Sequence, residues 1–145
     1  MKNPEWKSGE VYVGNVPKGG NNPIRIQSMT DTDSMDTTAT VKQCISIIKE
    51  GADYVRITAQ NKNVAKNLAL ICCELRNKGY LTPIIADVHF NPDIAEIAAG
   101  NVDKVRINPG NFAGNEKIKQ RLLLLLNICR NNGTAIRIGV NHGSL

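Results

Sequence analysis

Three short stretches of this sequence set an arginine between branched apolar neighbours: Tyr54-Val-Arg-Ile-Thr58, Lys104-Val-Arg-Ile-Asn108 and Ala135-Ile-Arg-Ile-Gly-Val-Asn141. An extended strand alternates its faces with period two. In the second stretch Val105 and Ile107 therefore fall on one side and Arg106 and Asn108 on the other, and Pro109-Gly110 then stops the strand. The same parity joins Arg56 with Thr58, Asp87 with His89, and Arg137 with Asn141. Guanidinium is the side-chain group suited to bidentate recognition of phosphate, so Arg56, Arg106 and Arg137 delivered to one rim point to a shared anion, and two or three of them in a low-dielectric mouth would balance a diphosphate. Asn108 and Asn141 would add neutral hydrogen bonds to phosphate or hydroxyl oxygens. Asp87 and His89 form an acid/base or orienting pair, because histidine titrates closest to neutral pH.

Holding these groups at one rim requires strands that run the same way, and the intervening sequence supplies the crossovers. Glu10 to Val16 followed by Pro17-Lys-Gly-Gly20 reads as a short extended segment and turn, a hairpin ahead of the main fold, so residues 1–22 are expected to precede a barrel domain over 23–145. Ile24 to Ser28 is the first expected core strand. Asp36 is an N-cap for a helix with apolar positions Val41, Cys44, Ile45 and Ile48, and Gly51 closes it. Asp53 to Thr58 is the second strand, followed by a helix striped by Val64, Leu68, Ile71, Cys72 and Leu75. Ile84 to Val88 is the third, and Asn91 with Pro92 opens a short helix that Gly100 stops. The 103–108 segment is the fourth. A helix carrying Ile118, Leu122, Leu125, Leu126 and Cys129 leads to the fifth strand, which runs to Val140.

This alternation implies an α/β fold with a parallel sheet. Arg25, Arg56, Arg106 and Arg137 fall at equivalent strand positions, and Arg25 to Arg56, Arg56 to Asp87 and Arg106 to Arg137 each span 31 residues, one unit of strand, loop and helix. An open doubly wound sheet would bury those arginines against apolar helices, whereas a (β/α)8 TIM barrel would line its upper lumen with them, where active sites sit. About five strands and four helices of such a barrel are expected here, its N-terminal part. Arg25 reads either as a rim residue or as an ion-pair residue inside or below the barrel. Asp31 and Asp33 read as solvated or capping, and Gly110 and Gly139 as backbone requirements.

Composition narrows the function classes. The chain has 145 residues, 41% of them apolar, which suits one domain with a real core. Net charge is +5, but Lys and Arg are scattered and aromatics make up only 4%, so nucleic-acid binding is not expected. The longest apolar run, Leu122 to Leu126, is far too short to span a membrane, and no signal-peptide pattern opens the chain. Cys44, Cys72, Cys73 and Cys129 sit in apolar-periodic segments without C-x-x-C or metal spacing, so buried reduced thiols in a cytoplasmic protein are expected, with no metal bound by this chain.

Five motifs, in order, carry a resemblance: Pro23-Ile-Arg-Ile-Gln-Ser-Met-Thr30, Gly51-Ala-Asp-Tyr-Val-Arg-Ile57, Ala86-Asp-Val-His-Phe90, Val105-Arg-Ile-Asn-Pro-Gly-Asn111 and Ile136-Arg-Ile-Gly-Val-Asn-His-Gly-Ser-Leu145. With Val13 to Gly20 ahead of them, the chain resembles the 4-hydroxy-3-methylbut-2-enyl diphosphate synthase family of the methylerythritol phosphate route to isoprenoids. The resemblance implies a TIM barrel that binds 2-C-methyl-D-erythritol 2,4-cyclodiphosphate, and a separate domain holding a 4Fe-4S cluster. It also implies two-electron reductive ring opening with ferredoxin or flavodoxin as donor, and a homodimeric parent. By that resemblance Arg56, Arg106 and Arg137 are diphosphate ligands, Asn108 and Asn141 neighbouring donors, and Asp87 and His89 catalytic residues touching substrate at the mouth. The family's cluster cysteines lie beyond Leu145, so the cluster domain is expected outside this chain and the chain alone is expected to be inactive. Asn141 to Leu145 resembles the form with an additional inserted domain and Phe112 to Asn115 the two-domain form, which leaves both parents open. Two other readings stand beside this one: a pteroate-synthase-like phosphate-binding barrel, and a non-catalytic half-barrel phosphate-binding module.

Overall fold

The computed structural model describes residues 7–89, 91–108, 110 and 115–140, with side chains in the last segment described from 119 onward. A hairpin of β1 (Val11–Val13) and β2 (Val16–Lys18) precedes β3 (Gln27–Met29), α1 (Thr37–Lys49), β4 (Tyr54–Thr58) and α2 (Lys62–Asn77). Then follow β5 (Ile84–Asp87), α3 (Pro92–Ala99), β6 (Lys104–Ile107), α4 (Asn115–Asn132) and β7 (Ala135–Ile138). The hairpin is antiparallel, and the five later strands form one parallel sheet in the order β3-β4-β5-β6-β7. Each strand lies beside its sequence neighbour with no reversal of order. A doubly wound sheet needs such a reversal and a barrel does not.

The helices start where short polar side chains satisfy free N–H groups. Asp36 accepts from Ala39 N–H at 2.9 Å and Asn61 from Val64 N–H at 2.9 Å, while Asn91 accepts from Asp93 N–H ahead of a helix that opens on Pro92. All four helices cover one face of the sheet. Val55 and Ile57 of β4, Ile84 and Ala86 of β5, and Val105 and Ile107 of β6 pack there against Cys44, Leu68, Ile71, Leu75, Ala95, Ala98 and Leu125. Each fully buried leucine or isoleucine in that layer contributes roughly 2 kcal/mol. The other face carries Tyr54, Arg56, Ile85, Asp87, Lys104 and Arg106 and turns into the barrel lumen.

The floor of the lumen is closed by the hairpin, whose Val13 packs with Tyr54 and Ile85 while Val16 and Ala135 flank them. The turn differs from the expected one. It is Gly14-Asn15, with Gly14 at φ 55°, and Pro17 lies within β2 opposite Tyr12. A two-residue turn needing positive φ takes glycine first, and proline is tolerated on an edge strand.

The first core strand is also displaced, from the expected 24–28 to Gln27–Met29, and Ile24 is 96% exposed. Arg25 is therefore not a rim residue. It lies below the barrel, donating from Nε to Pro17 O at 2.9 Å and pairing with Asp53 at 3.3 Å, and so ties the hairpin to the base of β4. Asp53 also accepts from Ile26 N–H at 2.8 Å, and Asp103 repeats the device by accepting from Ile84 N–H at 2.8 Å while pairing with Arg76 at 3.0 Å. The same short local motif thus anchors β4 and β6.

Candidate functional site

The 31-residue spacing marks a common level for only one pair. Arg106 lies directly opposite Arg137, but Arg56 lies opposite Met29 and Ile85, and Asp87 opposite Thr58 and Arg106. Barrel strands are staggered by their shear, so equal chain intervals do not give equal heights. The stagger raises Asp87 between the two arginines that flank it.

Asp87 is 1% exposed and is the hub of the site. Its Oδ2 meets Arg56 Nη2 at 3.0 Å and His89 Nε2 at 3.1 Å, and its Oδ1 meets Arg106 Nη1 at 3.2 Å. A buried carboxylate is stable only when paired and hydrogen-bonded, and here both oxygens are engaged by cationic or N–H donors. Arg56 is further held by a 3.2 Å contact from Nε to Met29 Sδ, and Arg106 by a 3.4 Å bond from Nη2 to Gly139 O. Two guanidinium groups and an imidazole thus converge on one carboxylate at the C-terminal ends of β4, β5 and β6.

Arg137 stands beside Arg106 in register but is exposed, and among the described residues it enters no ion pair. Asn108 is buried, and its Oδ1 accepts from Gly110 N–H at 3.1 Å. Asn141 lies outside the described residues, as does His142. Arg56, Asp87, His89 and Arg106 are therefore brought together, with Arg137 next to them. The three arginines and Asp87 leave two positive charges in excess. Asp33 accepts from Met35 N–H at 2.9 Å and Asp31 pairs with the Gln43 side chain, which gives both acids a place in loop structure.

Sequence reasoning missed Lys104 and Gly139. Lys104 shares the parity of Arg106 and Asn108, which was signal enough to place it on the lumen face. It is 5% exposed, with Nζ 5.9 Å from the centre of the Tyr54 ring. Burial, together with the positive charges of Lys18 and Arg137, pulls its pKa from 10.5 to about 8. These three cations line a cavity of about 490 Å³ beneath the rim.

The thiols do not fit a metal cluster. Among the described residues no group of His, Cys, Asp and Glu could hold a metal ion. Burial pushes Cys44 and Cys72 up to about 12 and Cys129 up to about 11, which keeps them protonated and poor as ligands.

Comparison with known proteins shows the family. The sequence profile of the GcpE TIM-barrel domain matches residues 8–145. The chain belongs to the GcpE family. Among its relatives, a protein of Parabacteroides distasonis named 4-hydroxy-3-methylbut-2-en-1-yl diphosphate synthase (flavodoxin) is 50% identical over 157 residues, covering 96% of this chain and 26% of that protein. Proteins of the same name from Phocaeicola vulgatus and Akkermansia muciniphila are 52% and 46% identical, covering 96% and 94% of this chain and 26% of each relative. This GcpE chain thus spans about a quarter of the length of the curated relatives it matches. Its parallel strands and helices are those of the family's TIM barrel, and a pteroate-synthase-like barrel is not favoured.

Proposed function

We propose that this GcpE chain is the diphosphate-binding part of the substrate barrel, residues 23–145 with the hairpin as its floor, of a 4-hydroxy-3-methylbut-2-en-1-yl diphosphate synthase. The whole protein would convert 2-C-methyl-D-erythritol 2,4-cyclodiphosphate by two-electron reductive ring opening. The observation that carries this reading is the convergence of Arg56 and Arg106 on the buried Asp87 carboxylate, with Arg137 alongside. Asp87 holds the two guanidinium groups ready and partly neutralises them before ligand arrives. The remaining positive charge suits the two phosphoryl groups of the substrate, which would replace water at the guanidinium edges facing the mouth. Asp87 also orients His89, whose side chain is 42% exposed and so can reach a bound ligand. Asn108 and Asn141 are proposed as neutral donors beside the phosphates.

The two electrons come from outside the described residues. They would be delivered by a 4Fe-4S cluster in another part of the protein, reduced by flavodoxin, the donor that the relatives' names give. A cytoplasmic homodimer completes the proposal. No helix among the described residues is long and apolar enough to cross a membrane.

The test is ligand binding followed by calorimetry. Arg56→Ala, Arg106→Ala and Arg137→Ala are each expected to weaken cyclodiphosphate binding by about 10- to 100-fold, the worth of one charge-assisted hydrogen-bond pair. If all three variants bind as the wild type does, the assignment fails.

A further inference from the structure

Gly139 follows β7, on the lumen face beside Arg106, and its conformation gives no reason for glycine. It is absent from the residues with positive φ, so an alanine would suit the backbone. The expectation that Gly139 serves the backbone is therefore incorrect. The reason lies in the space above its Cα. A Cβ placed there would stand 2.6 Å from Arg106 Nε, 3.1 Å from Nη2 and 3.3 Å from Cζ. All three atoms belong to one guanidinium group, which crowds the space a Cβ would take while Nη1 reaches Asp87 at 3.2 Å and Nη2 reaches Gly139 O at 3.4 Å. The backbone beneath is fixed by Gly139 N–H donating to Ile107 O at 2.9 Å.

We infer that Gly139 is a positioning residue: its missing side chain seats the Arg106 guanidinium against Asp87 and so sets where the diphosphate is held. The inference rests on the function proposed above. An added methyl group cannot move the ladder-bonded backbone easily, but it meets only the end of a flexible side chain, so Arg106 must retreat by roughly 1 Å to reach ordinary van der Waals distance. Displacements of that size at a binding group are costly to function while leaving the fold intact. A merely structural glycine would behave the other way, with stability lost first.

The test compares Gly139→Ala in the wild-type and Arg106→Ala backgrounds. Alanine ends at Cβ, so Arg106→Ala removes every atom that the added methyl group would meet. Inorganic pyrophosphate is the titrant. Gly139→Ala is expected to weaken its binding about tenfold in the wild type and less than about twofold in the Arg106→Ala background, because contacting residues couple and independent ones add. The thermal midpoint should move by less than about 2 °C, and the Arg106 Nε–H resonance should shift. If Arg106→Ala itself leaves pyrophosphate binding unchanged, the functional reading fails. If Arg106→Ala weakens binding but Gly139→Ala does not, or Gly139→Ala costs the same in both backgrounds, the role of Gly139 is refuted. Should the wild type not bind pyrophosphate, the functional reading falls and the Nε resonance alone decides: an unshifted signal overturns the inference.

Discussion

Tyr54, Ile85, Lys104 and Ala135 stand two residues below Arg56, Asp87, Arg106 and Arg137 on the same four strands and the same lumen face. The lower layer is sealed by Val13 and Val16 of the hairpin and holds one cation, Lys104, which among the described residues has an aromatic ring beside it but no acid. The upper layer holds a carboxylate between two arginines and a histidine. Both layers bury charge, with opposite electrostatic consequences. Above, Asp87 and the cations that contact it stabilise one another; below, burial works against the charged form of Lys104 and lowers its pKa. Parity along a strand places a residue in the lumen, but its height decides whether it is solvated, paired or desolvated.

The largest expected effect separates the layers at Asp87. Asp87→Asn leaves Arg56 and Arg106 facing each other without a counter-ion, and breaking a buried pair by removing one partner costs about 4 kcal/mol. Urea denaturation should show it. A loss below about 1 kcal/mol would mean that the upper layer is no more interdependent than the lower.

Lys104 gives the next effect, with the opposite sign. Its folded pKa of about 8 lies below the unfolded 10.5, so the unfolded chain binds the proton more tightly. The resulting penalty is fully present below about pH 8 and is relieved as pH rises toward 10.5. Stability of the wild type relative to Lys104→Met should therefore climb across that window by up to about 3 kcal/mol, the size set by the shift. Cys44, Cys72 and Cys129, raised from 9.0, lower stability above about pH 9 because only the unfolded chain then ionises them, but they do so equally in both proteins. A flat difference across this window would place Lys104 in a solvated or paired setting.

The smallest effect tests the floor itself. The Tyr54 hydroxyl is buried and has no hydrogen-bond partner among the described residues. Tyr54→Phe is therefore expected to leave stability unchanged or to raise it by about 1 kcal/mol, since an unsatisfied buried hydroxyl is a cost. A clear loss in thermal unfolding would show that this hydroxyl does have a partner.

What the sequence determined by itself was local: the caps, stripes and strand faces. Helix starts at Asp36 and Asn91, the apolar stripes of α1 and α2, and the lumen-facing parity of Arg56, Asp87 and Arg106 follow from capping chemistry and from the two backbone periods, which need no distant partner. The barrel itself was legible because polar residues recur on one strand face. What tertiary structure alone decided was height and neighbourhood. Strand stagger set Asp87 between two arginines instead of level with Arg56, and the displaced start of β3 sent Arg25 to the base. The approach of β7 to β6 made Gly139 the seat of a guanidinium, and the hairpin left Lys104 buried over an aromatic ring. Each of these depends on how far one strand has slid past the next, a quantity fixed by closure of the sheet and packing of the helices, and no residue encodes it by its own type.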